Sequence, residues 1–584
     1  MIKNKNFFLF FTLLFVVYCV HNWINFFYIV SNNVDFAKYY KSVYYFLGLS
    51  TNFDYGHGTL YYYLVSVFLI RKIDLIDSVN INFVFNSSVH ELNLFLFLIG
   101  LWGLYKLLEI NKYNKKVILI CLILLNFFPQ TIYLRSVMKP EILAFSLFPW
   151  CLFFIEMFLK SKNVKYLYLS FPALILILNS KPSVTGMTII YLLVFYIKVF
   201  KSIKIKNLII VTVLFLSLLS VVQIENFQIT QLYPFDRVYE EEFDYRANPN
   251  ILFKVNFREI FKNPFFKYEY QDEFYSVHAK SILNLVILDT FGDHFNQLFD
   301  NQLNYFSKNR KNLFISESDS FINKERQIKY NGPFAGFLVN ELDYLRKIIA
   351  SILSIIFYIS IIYFSNVSKD KRKYLWAPFV GILVLYLNSL GFPSNNFNPF
   401  KGDTFKSFYY SFLLVIAFVF VSAEIIRKNK KIFNFLIIFI FCFSIVFISG
   451  HPKSNDQMTS ERIVFMNEYS IFCEINNKLL IENNILKKIH PSGNINNQIS
   501  NCKNYFTNEN FINQTSSEYK NENNDACFDE TMSIKANSNY AECNIMWIKK
   551  IQELEKNENR KPFFSIILFL SMIFIFVSYK KINF

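Results

Sequence analysis

Apolar runs of roughly seventeen residues or more recur along this chain, and the charged residues gather in the segments between them. An α-helix rises about 1.5 Å per residue, so a run of that length approaches the roughly 30 Å hydrocarbon layer of a bilayer. Helices also satisfy their backbone hydrogen bonds internally, which a segment in lipid must do. The pattern therefore predicts an all-α polytopic membrane protein. Composition agrees, because 53% of the 584 residues are hydrophobic and only 18% are charged. The formal charge of +16 sits mainly in short loops beside the apolar runs, which reads as membrane topology. No basic stretch interleaved with aromatics lies on a soluble segment, so no nucleic-acid partner is expected.

Twelve spans are predicted: Phe7–Val30, Leu92–Leu108, Val117–Leu134, Glu141–Leu159, Tyr166–Ser180, Val184–Phe200, Leu208–Ile224, Ile348–Phe364, Leu375–Leu390, Ser407–Glu424, Phe433–Ile448 and Phe563–Val577. The first is too long for a signal-peptide core and no small-residue cleavage site follows it, so it is read as retained. Every second loop is basic, from Lys112–Lys116 through Lys160–Lys165, Lys198–Lys206, Lys369–Lys373 and Arg427–Lys431 to Lys580 and Lys581. These loops fall on the side of Lys3 and Lys5, which predicts cytoplasmic termini in an inner or plasma membrane. The run Leu60–Ile70 is too short to cross and would invert the later loops if counted. It is assigned to a helix lying in the outer interface, beside an amphipathic stretch carrying Phe36, Tyr39, Tyr40, Val43, Tyr44 and Leu47 at helical spacing.

The chain then divides into a transmembrane module, 1–224, whose first outer loop is 31–91; a mixed second outer loop, 225–347; further spans, 348–449; a third outer region, 450–562; and a last span with its tail, 563–584. Cys473, Cys502, Cys527 and Cys543 all fall in the third outer region, where an even set confined to an exported segment reads as two disulfides with the pairing open. A zinc site is the alternative reading, although no CxxC pair is present.

Asp35 stands just outside the first span among aromatic residues, where partial desolvation suits a general base. It equally suits the cap of the amphipathic helix, following Ser and Asn residues. Arg135, Lys139, Lys181 and Lys406 lie at predicted outer ends of spans, against the charge bias, and are candidate ligands for an anion or ordinary snorkelling cations. Glu141 follows Pro140 at a helix start, where a carboxylate favours the dipole and could also meet a sugar hydroxyl or the acceptor. No GxSxG elbow, P-loop or cytoplasmic DxD-like element appears, which argues against serine hydrolase, ATP-driven pump and nucleotide-sugar chemistry.

Several segments in order, DFAKYY, YGHGTLYYYL, SSVHELNLFLFLIGLWGLYKLL, RSVMKPEILAFSLFPW, ILNSKPSVTGM, LDTFGDHF and FKGDTFKSFYYSFLL, resemble the GT-C membrane glycosyltransferases. That class contains the protein O-mannosyltransferases and the lipid A aminoarabinose transferase. The resemblance is continuous to about residue 210, patchy to about 424, and absent from Gly450 onward. It implies transfer of a sugar from a polyprenyl-phosphate carrier to a lipid, glycan or protein acceptor on the outer face, with inversion at the anomeric carbon. Asp35 would be the base, and Arg135, Lys139, Lys181 and Lys406 would hold the leaving phosphate. The family often carries paired acids in the first loop, whereas here Phe36 follows Asp35. No cofactor is required by this reading, and a divalent metal is left open, since Asp54 and His57 could join a second-loop polar site of Asp289, Asp293 and His294. The competing classes are a transporter or envelope-assembly protein, and a polysaccharide polymerase or ligase sharing the lipid carrier.

Overall fold

The computed structural model describes residues 5–27, 42–43, 45–46, 53, 58–72, 81–230, 245–246, 282–291, 335–390, 396–397, 407–428 and 561–582. Fifteen helices are named here in chain order: α1 Lys5–Phe27, α2 Thr59–Ile70, α3 Ile81–Ile110, α4 Lys115–Leu125, α5 Pro129–Ser136, α6 Glu141–Ser161, α7 Lys165–Leu178, α8 Pro182–Phe200, α9 Ile205–Thr230, α10 Ile282–Asp289, α11 Ala335–Val367, α12 Arg372–Leu375, α13 Ala377–Leu390, α14 Ser411–Lys428 and α15 Phe563–Ile582. A two-residue parallel pairing joins Tyr245–Arg246 to Asn396–Phe397. Seven described helices are long and apolar enough to cross a membrane, and an eighth crossing results if α4 and α5 count as one bent span. Expected spans on described residues all fall on helices, α7 and α15 contributing shorter apolar segments, while Phe433–Ile448 lies outside the described residues.

The third expected span, Val117–Leu134, is not one straight helix but the α4–α5 pair, bent by 60°. Pro129 explains the break, since proline lacks the N–H and clashes with the carbonyl one turn earlier, that of Leu125. The carbonyls freed by a break must find donors. Thr131 Oγ1 donates to the Leu125 and Phe128 carbonyls at 2.6 and 2.8 Å, and Arg135 Nη2 donates to the Asn126 carbonyl at 2.9 Å. Arg135 adds bonds from Nε to the Thr131 carbonyl and from Nη1 to Asn126 Oδ1, with its guanidinium 4.2 Å from the Phe97 ring centroid. Bend and brace thus lie within ten residues of each other.

The core is built on α3 against α6. Gly103 leaves room for the Trp150 indole, since a Cβ there would lie 2.8 Å from Trp150 Cδ1. Trp150 Nε1 then donates to the Ile99 carbonyl at 3.0 Å, and its ring stacks on Phe576 of α15 at 3.9 Å. Small residues at a helix crossing allow such close approach, which is how helices associate where lipid offers no hydrophobic drive. Glu225, buried on α9, accepts from the backbone N–H groups of Phe564 and Ser565 and from Ser565 Oγ, capping the N-terminus of α15.

Two chemically distinct ends result. The basic loops gather at one: Lys160 Nζ donates to the Ile110 carbonyl, Lys162 Nζ to Ser202 Oγ, Lys371 Nζ to Asn111, and Lys373 pairs with Glu156. Glu424 is buried there under Tyr113, Ser368 and Arg427. The opposite end collects the N-termini of α6, α8, α14 and α15. Helix α2 lies at that opposite end, because Tyr61 and Phe68 along it and Lys72 just past its end meet Asn93, Phe95 and Glu91, all within the first half of α3. The first outer segment is more helical than expected, since α3 begins eleven residues before Leu92.

Candidate functional site

The turn between α5 and α6 is extended at Val137, and its carbonyls are taken by two α3 side chains. Asn93 Nδ2 donates to the Arg135 and Val137 carbonyls at 3.1 and 2.8 Å, while His90 Nε2 lies 3.1 Å from the Ser136 carbonyl. Tyr61 of α2 donates to Asn93 Oδ1 at 2.9 Å and hydrogen-bonds the Lys139 backbone. Lys139, 2% exposed, is thereby set with its ammonium 5.0 Å from the Phe408 ring and 6.0 Å from that of Tyr409. Two residues later Glu141 opens α6, fully buried.

The turn between α7 and α8 arrives from the other side. Gly58 N donates to the Ser180 carbonyl at 2.8 Å, and a Cβ on Gly58 would lie 1.7 Å from the Asn179 carbonyl oxygen. Only glycine permits that approach. Asn179 Oδ1 accepts from Gln223 and Asn226 of α9, and Asn226 Oδ1 from Thr59. Lys181, extended at φ −163°, precedes Pro182 at the α8 N-terminus. Its ammonium reaches Glu141 Oε1 at 2.8 Å and lies 4.8 Å from the Tyr409 ring centroid.

A third turn, Ser407–Tyr410, carries the aromatic rings that both lysines face. Buried Asp289 at the end of α10 fixes it, accepting from Ser407 N at 2.7 Å and Ser407 Oγ at 2.6 Å. Gln130 Nε2 ties α5 into the same knot through the Asp289 carbonyl at 2.9 Å and Ser407 Oγ at 2.7 Å.

Lys139, Glu141 and Lys181 therefore converge around Tyr409. Arg135 does not join them, because its guanidinium is committed to the α4–α5 break, so it is reassigned from anion ligand or snorkelling cation to backbone brace. Asp289 serves the Ser407 turn. Asp35, Asp54, His57, Asp293, His294, Lys406, Cys473, Cys502, Cys527 and Cys543 lie outside the described residues. Among the described residues no group of three or more His, Cys, Asp and Glu side chains could hold a metal ion, and the metal-ligand candidates Asp54, His57, Asp293 and His294 lie outside them.

Sequence reading passed over Tyr61, His90, Asn93, Gln130 and Tyr409. A signal was present for some: polar residues at 126, 130 and 131 around Pro129 are out of place in an uninterrupted span and mark a break whose backbone needs partners. Chemically, the site offers a cationic pair against an aromatic face, with one carboxylate holding the more exposed lysine. No family model, curated protein or solved structure matches the chain.

Proposed function

We propose that this protein is an inverting glycosyltransferase that moves a sugar from a polyprenyl-phosphate carrier to an acceptor on the outer face of the membrane, with both termini cytoplasmic. The observation that carries the reading is the meeting of Lys139 and Lys181 over one ring, Tyr409, at the end opposite the basic loops. Two ammonium groups at a helix N-terminus suit an anion that grows during reaction. In this transfer the Asp35 carboxylate takes the acceptor hydroxyl proton as that oxygen bonds to the anomeric carbon. The bond from that carbon to the carrier phosphate breaks, and its electron pair leaves on the phosphate. Lys181, whose side chain keeps 12% exposure, is the cation a phosphate reaches, and Glu141 holds it in place. Lys139 adds its charge from behind Phe408 and Tyr409.

The test uses the purified full-length protein with a panel of labelled polyprenyl-phosphate sugars and membrane acceptors. Transfer is expected with at least one donor, Asp35→Asn lowering kcat by about 10²-fold or more and Lys181→Gln raising the KM for donor, with partial rescue by Lys181→Arg. Undiminished transfer by Asp35→Asn overturns the base assignment. Absence of transfer from every carrier sugar by folded protein overturns the reaction class.

A further inference from the structure

At the basic end, lysines meet from four separated segments, and several spend their hydrogen bonds on neutral oxygens. Lys160 donates to the Ile110 carbonyl, Lys162 to the Ser202 hydroxyl at 2.8 Å, and Lys371 to the carbonyl and side-chain oxygens of Asn111 at 3.2 and 3.1 Å. Such acceptors satisfy the N–H groups without cancelling the charge. Carboxylates here are fewer than the cations: Glu109 pairs with Lys106, Glu156 with Lys373, exposed Asp370 with Lys371, and buried Glu424 with Arg427. Mutual repulsion follows. Burial lowers the pKa of Lys373, Glu156 opposes this, and Lys198 and Lys371 lower it further.

The surroundings are those of a headgroup layer. Lys371 lies 5.7 Å from the Tyr113 ring centroid, and Lys373 lies 4.9 and 5.0 Å from those of Phe195 and Tyr374. Trp376, 47% exposed, follows directly, and amphipathic rings favour this depth. From Lys198 the outer face of α8 continues apolar through Leu193 and Ile197, with Phe200 beside it, all more than half exposed. A lysine cluster, with Lys160 and Lys371 meeting at Ile110 and Asn111 and Lys373 over Phe195 one turn before Lys198, borders an exposed apolar helix face and matches a ligand with a phosphate at one end and a hydrocarbon chain at the other.

We propose that the cluster of Lys112, Lys160, Lys198, Lys371 and Lys373 holds the phosphate of an anionic phospholipid, whose acyl chain lies along the exposed face of α8. The site is distinct from the Lys139–Lys181 site and stands whether or not the glycosyltransferase reading does. Its partner is a resident lipid, and its consequence is to fasten the α6 C-terminus to the 368–373 turn.

The experiment is native mass spectrometry of the full chain in a neutral detergent, with dioleoylphosphatidylglycerol or dioleoylphosphatidylcholine added. Phosphatidylglycerol is expected to be retained at least tenfold more tightly. Lys112, Lys160 and Lys198 are exposed, and Gln at position 160 keeps an amide donor for the Ile110 carbonyl; thermal unfolding of the triple Gln variant verifies that it remains folded. Removing each should weaken phosphatidylglycerol binding about fivefold, and Arg at the same three positions should restore it. Arg71→Gln, at the opposite end, should change nothing. The proposal is overturned if the triple Gln variant holds the lipid as the parent does, or if Arg71→Gln weakens it equally. Displacement of the lipid by millimolar inorganic phosphate would likewise overturn the lipid assignment in favour of free phosphate.

Discussion

Buried carboxylates tie distant parts of the chain together at both ends, the one that holds Lys139 and Lys181 and the basic one, but at the basic end lysines also reach inward to the carbonyls that close a helix. Glu225 caps a helix more than three hundred residues away, and Asp289 fixes a turn at Ser407. Lys160 and Lys371, by contrast, close the C-terminal end of α3 through the Ile110 and Asn111 carbonyls. Both arrangements follow the helix dipole, acids favoured at N-termini and bases at C-termini. They differ in what they leave over. The first end holds its turns by specific, nearly charge-balanced bonds, and the second keeps a surplus of positive charge. Assembly of three turns into one site therefore belongs to the first end, and attraction of an anionic surface to the second.

The sharpest way to break this comparison is to remove one member of the ion pair at the first end. Lys181→Met leaves Glu141 buried without its ammonium partner and is expected to cost about 3–5 kcal/mol, since an uncompensated buried charge is far costlier than the pair is stabilising. Pairing it with Glu141→Leu should recover most of the loss. Thermal unfolding of the single and double variants checks this, and equal destabilisation by both would show that the pair is not what holds the turns together. Gly58→Ala comes next, at about 1–3 kcal/mol, because the new Cβ meets the Asn179 carbonyl and must push α2 from the α7–α8 turn. An unchanged melting temperature would mean that α2 is not docked there.

Much of the fold could be read from residues because a span's signal is local. Apolar length sufficed for α1, α3, α6, α8, α9, α11 and α14. The α4–α5 bend was missed because hydropathy averages over Pro129, although proline and its polar neighbours stood in plain view. Of the site, Lys139, Glu141 and Lys181 could be singled out by position, each flanking a proline at a span end away from the basic loops. Their meeting on Tyr409 could not, because it depends on Asp289, Gln130 and Ser407, three residues whose contact spans more than two hundred and seventy positions. Arg135 shows the limit of charge alone. By position it suits an anion ligand or a snorkelling cation equally, and only the broken backbone beneath it shows where its donors go.

Smaller effects sharpen the contrast between a buried carboxylate and a partly exposed one at the same end. Glu225→Gln keeps the shape but loses the charge at the α15 N-terminus, and should cost about 1 kcal/mol and speed amide exchange at Phe564 and Ser565. Glu91 is the counter-case. It pairs with Arg71 at 2.6 Å and with Lys72 at 2.5 Å, and the Arg71 side chain is 61% exposed. Solvent screens such a pair, and Lys72 remains when Arg71 is replaced, so Arg71→Gln should shift stability by no more than about 0.5 kcal/mol. The two variants also separate two accounts of why acids sit at this end. If net charge alone mattered, losing the negative charge of Glu225 and the positive charge of Arg71 would move the melting temperature by similar amounts in opposite directions. If the acids act as caps for particular backbone groups, Glu225→Gln will be the larger and its effect will be confined to the first turn of α15, where exchange reads it directly.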